Sequence, residues 1–144
     1  MTGLVKSSSH WRLLDHTADI RMEVEGASLG ELFVNAAEGL RGLISEPRDA
    51  APESELDLAL EADTTEDLLV DWLRELLFLH EVQELVPVHA EILNLSPTSL
   101  KARVFFRKRE PEEIPPFEIK AVTYHGLCIE RTDQGYVTRI VFDV

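Results

Sequence analysis

Hydrophobic and polar positions alternate in two rhythms along this chain, and the switches between them mark its elements. Ile20, Met22 and Val24 alternate with Arg21, Glu23 and Glu25, the period of two of a half-buried strand, and Gly26 ends the run. Leu29, Leu32, Phe33, Ala36, Ala37, Leu40 and Leu43 then recur at helical period behind Ser28 and Glu31, which have capping-box spacing. A strand over 20–25 and a helix over 28–43 follow from these patterns. Pro47, Asp49 and Pro52 mark a loop, after which Leu56, Leu58 and Leu60 alternate with Asp57 and Glu61 as a second strand with one wet face. A second helix is capped by Thr64 or Thr65 and carries Glu66 and Asp67 in its first turn, the sign its dipole prefers. Its broad stripe of Leu68, Leu69, Trp72, Leu73, Leu76, Leu77 and Leu79 places it at the centre of the core, with Trp72 as a packing residue.

In the second half, Val86–Leu95 and Leu100–Phe106 read as strands joined by a hairpin turn at Ser96-Pro97-Thr98-Ser99, and the charged, proline-rich run Arg107–Pro116 reads as an exposed loop. Glu118–His125 fits either a strand or a short helix. Leu127–Thr132 and Tyr136–Val144 form a hairpin around Asp133-Gln134-Gly135. The last strand is largely apolar on both faces, as an interior strand would be. Asp143 and the α-carboxylate of Val144 are therefore held at its end, and so dense a negative charge calls for a cation. The architecture expected is α+β and two-layer, with two main helices packed on one face of a mixed β-sheet.

The 144 residues suit a single domain over 11–144, preceded by a serine-rich leader over 1–10 that is expected to be disordered. Neither a signal-peptide core nor an apolar run long enough for a bilayer is present, so the expected location is cytoplasmic and no membrane contact is foreseen. With 27 acidic against 14 basic residues the formal charge is −13, which disfavours direct nucleic-acid binding and favours a cation or a basic protein surface as partner. The lone Cys128 cannot form an internal disulfide and is expected to be a small buried hydrophobe.

No P-loop, dinucleotide fingerprint, zinc-protease helix or nucleophile elbow occurs. Taken singly, Asp19 is more often a turn or cap residue than a ligand, His125 more often a structural hydrogen-bonder than a base, and Lys120 solvated surface. Three separated stretches change that balance. Leu14-Asp15-His16-Thr17-Ala18-Asp19-Ile20, the acidic helix from Glu66 to His80, and Glu118–Gly126 followed by Phe142-Asp143-Val144 together resemble the archease family, in order, from about Trp11 onward.

The resemblance implies an accessory protein that activates the RNA ligase joining 3′-phosphate or cyclic-phosphate ends to 5′-hydroxyl ends. It would promote guanylylation of a ligase histidine and repeated turnover, in tRNA splicing or RNA repair, and broaden nucleotide choice, without catalysing a reaction itself. It also implies a divalent cation, Ca²⁺ foremost with Mg²⁺ or Mn²⁺ as alternatives, held by Asp19, Asp143 and Val144. These are hard oxygen donors, suited to such ions and poor for zinc. His16, Lys120, Thr123 and His125 become candidates for the functional surface. The segment Phe106–Glu113 departs from the family pattern, which has Gly-Glu and often His there, so partner contact at that segment is in question. Competing functions are a small metal-dependent phosphoesterase, with Asp19 and Asp143 on the ion and His125 or His16 as base, and a chaperone-like adaptor.

Overall fold

The structure is a computed structural model and describes residues 10–14, 19–124 and 126–144. Its elements are β1 (Trp11–Leu14), β2 (Asp19–Gly26), α1 (Leu29–Ile44), β3 (Ser54–Glu61), α2 (Thr65–Gln83), β4 (Leu85–Ser96), β5 (Ser99–Lys108), β6 (Ala121–Thr123), β7 (Glu130–Thr132) and β8 (Gly135–Asp143). Both helices start where their caps predict. Ser28 Oγ accepts from the Glu31 N–H at 3.1 Å while the Glu31 carboxylate reaches back to the Ala27 N–H at 2.9 Å, and Thr64 Oγ1 accepts from the Asp67 N–H at 3.0 Å.

The α+β class is as expected, but the sheet differs from the single mixed one foreseen. The strands form two sheets, and every pairing among the described residues is antiparallel. The first sheet runs β1-β2-β8-β6, with β7 also pairing to β8, and the second runs β3-β5-β4. The reason lies in the connections. β4 and β5 are joined by a turn too short for anything but an antiparallel pair, and β8 slots between β2 and the short strands that precede it.

α1 packs against β2 of one sheet and β4 of the other, and α2 reaches β6 on one side and β3 and β4 on the other, so the helices bridge both sheets. That position explains why α2 is buried nearly all round. Leu68, Leu69, Val70, Trp72, Leu73 and Leu76 have no exposed surface, and Trp72 Nε1 donates to the Phe33 carbonyl at 2.9 Å, tying the two helices together. The β2 alternation turns Ile20, Met22 and Val24 inward against Ile140 and Phe142 of β8. At the other end of β8, Gly135 has φ +135, and a Cβ there would collide with the Gly26 carbonyl oxygen, so the turn after β7 requires glycine.

Four expectations are corrected or outrun. Glu118–His125 yields a three-residue strand, β6, instead of a helix, because β8 offers it a free edge. Only Glu130–Thr132 of the run 127–132 is strand. Cys128 is exposed, since Leu127 and Ile129 on either side turn towards the core and leave it pointing out. Finally, Arg107–Pro116 is not simply an exposed loop. Arg107 ends up buried within β5, and its guanidinium grips the buried Glu113 with two 2.9 Å hydrogen bonds. Of the leader foreseen over 1–10, residues 1–9 lie outside the described residues, while the His10 carbonyl accepts from the Glu25 N–H at 3.0 Å.

Candidate functional site

In an antiparallel ladder, residues directly opposite each other share a face, so register decides which side chains meet. In the β2–β8 register Ile20 stands opposite Phe142 on the buried face, which puts Asp19 directly opposite Asp143 on the outer face. Two residues far apart in sequence thus become immediate cross-strand neighbours, with Cβ atoms about 4.5–5.5 Å apart in such pairs generally. Val144 follows at once and is 43% exposed, at the same end of the strand.

Like charges directly opposite each other destabilise a ladder. The compensation visible is slight: Arg21, two residues along β2, places its Nε 3.7 Å from Asp19 Oδ1, with Arg21 exposed and Asp19 half-buried. Asp143 has no ion pair among the described residues. Its backbone is firmly held, since its carbonyl accepts from the Lys120 N–H at 2.8 Å and it lies opposite Ala121 in β6.

Thr123 faces Val141 two positions along, on the outer face with Asp143. Lys120 is exposed beside the Asp143 backbone and lines a groove on the helix side. Asp19, Asp143, Val144, Lys120 and Thr123 are therefore gathered at one end of the first sheet, while His16 and His125 lie outside the described residues.

The donor set is purely oxygen, which fits a hard divalent cation. Among the described residues no cluster of three His, Cys, Asp or Glu side chains exists. The side-chain carboxylates of Asp19 and Asp143 are the acidic groups this strand end brings together, with Val144 next to them.

A second arrangement was not foreseen from the sequence. Tyr124 donates its O–H to Asp71 Oδ1 at 2.8 Å and accepts from Arg74 Nη1 at 3.1 Å, while Arg74 Nε donates to the Val122 carbonyl at 3.1 Å. The Arg74 guanidinium also lies 4.4 Å from the Tyr124 ring centroid. Partial burial and the Asp71 carboxylate together raise the Tyr124 phenol above its usual range, so it stays protonated and keeps donating. The effect is to pin β6, and with it the Asp143 end of β8, to α2. Asp71 and Arg74 stand three apart on the polar face of α2, and that spacing was the available signal.

The sequence profile of the Archease protein family matches residues 11–144. The chain belongs to that family. Protein archease of Methanosarcina mazei is 37% identical over 139 residues, spanning 93% of this chain and 95% of the relative, and protein archease of Archaeoglobus fulgidus is 35% identical over 135 residues, spanning 93% and 98%. Among solved structures, protein 1598 of Methanobacterium thermoautotrophicum superposes with TM-score 0.72 at 27% identity, covering 93% of this chain and 98% of that one. A Thermotoga maritima archease, described as a possible chaperone, gives 0.60 at 30% identity, covering 91% and 94%. The archease fold is thus shared over nearly the whole of this chain. None of the helices in the described residues is long and apolar enough to cross a membrane.

Proposed function

We propose that this archease is a non-catalytic accessory protein of the GTP-dependent 3′-phosphate RNA ligase, promoting guanylylation of the ligase histidine and multiple turnover, with the Asp19–Asp143 end as its working part. The observation that supports this reading is the cross-strand opposition of two carboxylates at a rigidly held strand end, in a chain of the archease family. A divalent cation, Ca²⁺ foremost, fits Asp19, Asp143 and Val144, and when bound it would supply positive charge to neutralise phosphate oxygens. The chain's own contribution is positional. β2 and β8 fix the two carboxylates, Lys120 stands beside them, and Thr123 lines the outer face that a partner would meet. The charge of −13 suits docking on a ligase surface made basic by its need to hold RNA, and argues against direct RNA contact by this chain.

The test is ligase turnover with limiting ligase, GTP, metal and excess RNA bearing 3′-phosphate and 5′-hydroxyl ends, with and without this chain. Wild type should raise both GMP loading and turnover, and Asp19→Ala and Asp143→Ala should not. A wild-type chain without effect on the ligase from its own source would defeat the proposal. Incubating the chain alone with phosphoesters and Mn²⁺ or Mg²⁺ is the companion experiment: hydrolysis abolished by Asp143→Ala would defeat the non-catalytic part.

A further inference from the structure

A sheet that does not close leaves a row of unpaired backbone groups along each outermost strand, and such rows pair with other chains unless the fold shortens, bends or covers them. Most outer strands of this molecule are treated in that way. β4 breaks register twice, between Pro87 and His89 and between Ile92 and Asn94, and α1 packs against it, with Arg41 Nη1 donating to the Val88 carbonyl at 2.7 Å. β6 and β7 are three residues long, β1 is four, and the Val122 carbonyl of β6 is taken by Arg74. β3 is the exception. Its eight residues, Ser54–Glu61, pair with β5 in unbroken register and include no proline, glycine or lysine, and no second strand lies beside them among the described residues. Leu58 and Leu60 are half-buried and the rest are exposed, Leu56 at 38%.

The Ala62 N–H donates to the Thr98 carbonyl at 3.0 Å, one step beyond the Glu61–Ser99 pair. Hydrogen-bonded and non-bonded pairs alternate in an antiparallel ladder, so Leu56, Leu58 and Leu60 turn their backbone groups to β5, and Glu55, Asp57, Ala59 and Glu61 turn theirs outward. The leucine side chains share the core face with Val104, Ala102 and Leu100 opposite them, and a strand added at this edge would extend that face. The other face is acidic. Glu53, Glu55, Asp57, Glu61 and Asp63 follow one another with no base between 53 and 63. Of the two bases on the same face of β5, Arg103 is held by Asp57 through hydrogen bonds of 2.8 and 3.2 Å and Lys101 stands opposite Ala59, so the edge stays net negative. A second copy of β3 paired edge to edge would set carboxylates against carboxylates, which a ladder disfavours. We infer that β3 accepts an added strand from a partner protein, an extended segment in which apolar residues alternate with lysine or arginine. Its backbone bonds the outward groups of residues 55–61, its apolar side chains lie beside Leu56, Leu58 and Leu60, and its cations face Glu55 and Glu61. Backbone bonds give such an addition its affinity, and the alternation of side chains gives its specificity. The edge belongs to the second sheet and the Asp19–Asp143 end to the first, so the inference stands whether or not the ligase reading does.

The test uses the full chain and a fluorescent peptide, matched to β3 in length, in which valines alternate with lysines. A second peptide carries glutamates in place of the lysines. Anisotropy should show saturable binding of the lysine peptide and none of the glutamate peptide. Ala59→Pro removes one outward N–H and no charge, at an edge position where proline leaves the β5 ladder intact, and should weaken binding at least tenfold. Glu130→Lys/Asp133→Lys, at exposed positions in the β7–β8 hairpin of the first sheet, should stay within threefold of wild type. Equal binding by folded Ala59→Pro and wild type would mean attraction by net charge alone and overturns the inference, as does no saturable binding to wild type.

Glu55→Lys/Glu61→Lys decides the matter if circular dichroism shows Ala59→Pro to be unfolded. That double variant should lose the lysine peptide and gain the glutamate peptide, whereas wild-type affinity for the lysine peptide would put the binding elsewhere and overturn the inference. Sedimentation of the free chain checks the occupant. A monomer, or a dimer that both variants keep, is the expected result. A dimer dissociated by either variant would give the β3 edge to a second copy and overturn the choice of partner.

Discussion

Two acidic sites in this molecule are built on opposite plans. Glu113 sits with no exposed side-chain surface and is fully provided for: Arg107 donates twice, and the backbone N–H groups of Glu46 and Glu110 donate at 2.8 and 3.3 Å. Asp19 and Asp143 lie on an outer face, directly opposite each other, and among the described residues a 3.7 Å approach from Arg21 is the one ion pair that offsets their charge. A buried carboxylate left unpaired would cost several kcal/mol, so the fold completes the Glu113 site from within. An exposed pair costs little, roughly 1 kcal/mol of repulsion at such separations in water, so the fold can leave it incomplete and ready for something from outside. Self-sufficiency marks the structural site, and its lack is what singles out the proposed functional one.

The largest effect should come from breaking the closed site. Arg107→Ala leaves the buried Glu113 with only the longer 3.7 Å approach of Arg48 as counter-charge and should cost about 3 kcal/mol by urea unfolding, the low end for halved buried ion pairs. If the loss is below 1 kcal/mol, the strap from β5 to residue 113 is not a stability element.

Acid should come next. Burial alone would raise the Glu113 pKa, but Arg107 and the two backbone donors outweigh it and hold it at about 2, against 4.5 when unfolded. A carboxylate with a depressed folded pKa stabilises above its unfolded value, so the Glu113 contribution should be intact at pH 5 and be lost, by about 3 kcal/mol, as pH drops from 4.5 towards 2. That limb should flatten in Glu113→Gln. His80 adds a step that begins at higher pH. Burial lowers its pKa from 6.5 and its Nδ1–H bonds the Leu85 carbonyl at 3.0 Å, so the unfolded chain takes up its proton first and stability begins to fall below pH 6.5.

The open site should answer to added cation instead. Millimolar Ca²⁺ should raise the melting temperature of wild type, by the equivalent of about 1–3 kcal/mol if it exceeds its dissociation constant ten- to hundredfold, and leave Asp19→Asn/Asp143→Asn unchanged. Equal shifts in both proteins would place the cation elsewhere.

The smallest effect should have the opposite sign. In EDTA, Asp143→Asn relieves the cross-strand repulsion and should be neutral to about 0.5 kcal/mol more stable than wild type. Destabilisation beyond 1 kcal/mol would mean that Asp143 has a structural role like that of Glu113.

The two sites also differ in how far the sequence revealed them. Periodicity located the long elements well, from the β2 alternation to the α2 stripe and the Ser96–Ser99 turn, because those signals are local and burial on one face imposes them. Pairing partners leave no such mark. Nothing in 20–25 says that its neighbour is β8, so the division into two antiparallel sheets was hidden, and with it the meeting of Asp19 and Asp143, which came only through family resemblance. Arg107 and Glu113 sit in a run so charged and proline-rich that composition pointed to solvent, and only the fold shows that two of those charges satisfy each other inside. Cys128 went the other way: residue type suggested burial, but the alternation of Leu127 and Ile129 turned it out.

The pairing of β2 with β8 also bears on the order in which the molecule assembles. The β4–β5 hairpin closes across two residues and can form while the chain is still emerging, whereas β2 must wait for the last strand to arrive across almost the whole sequence. Until β8 docks, Asp19 has no carboxylate opposite it. Whatever recognises that pair can only recognise a finished molecule.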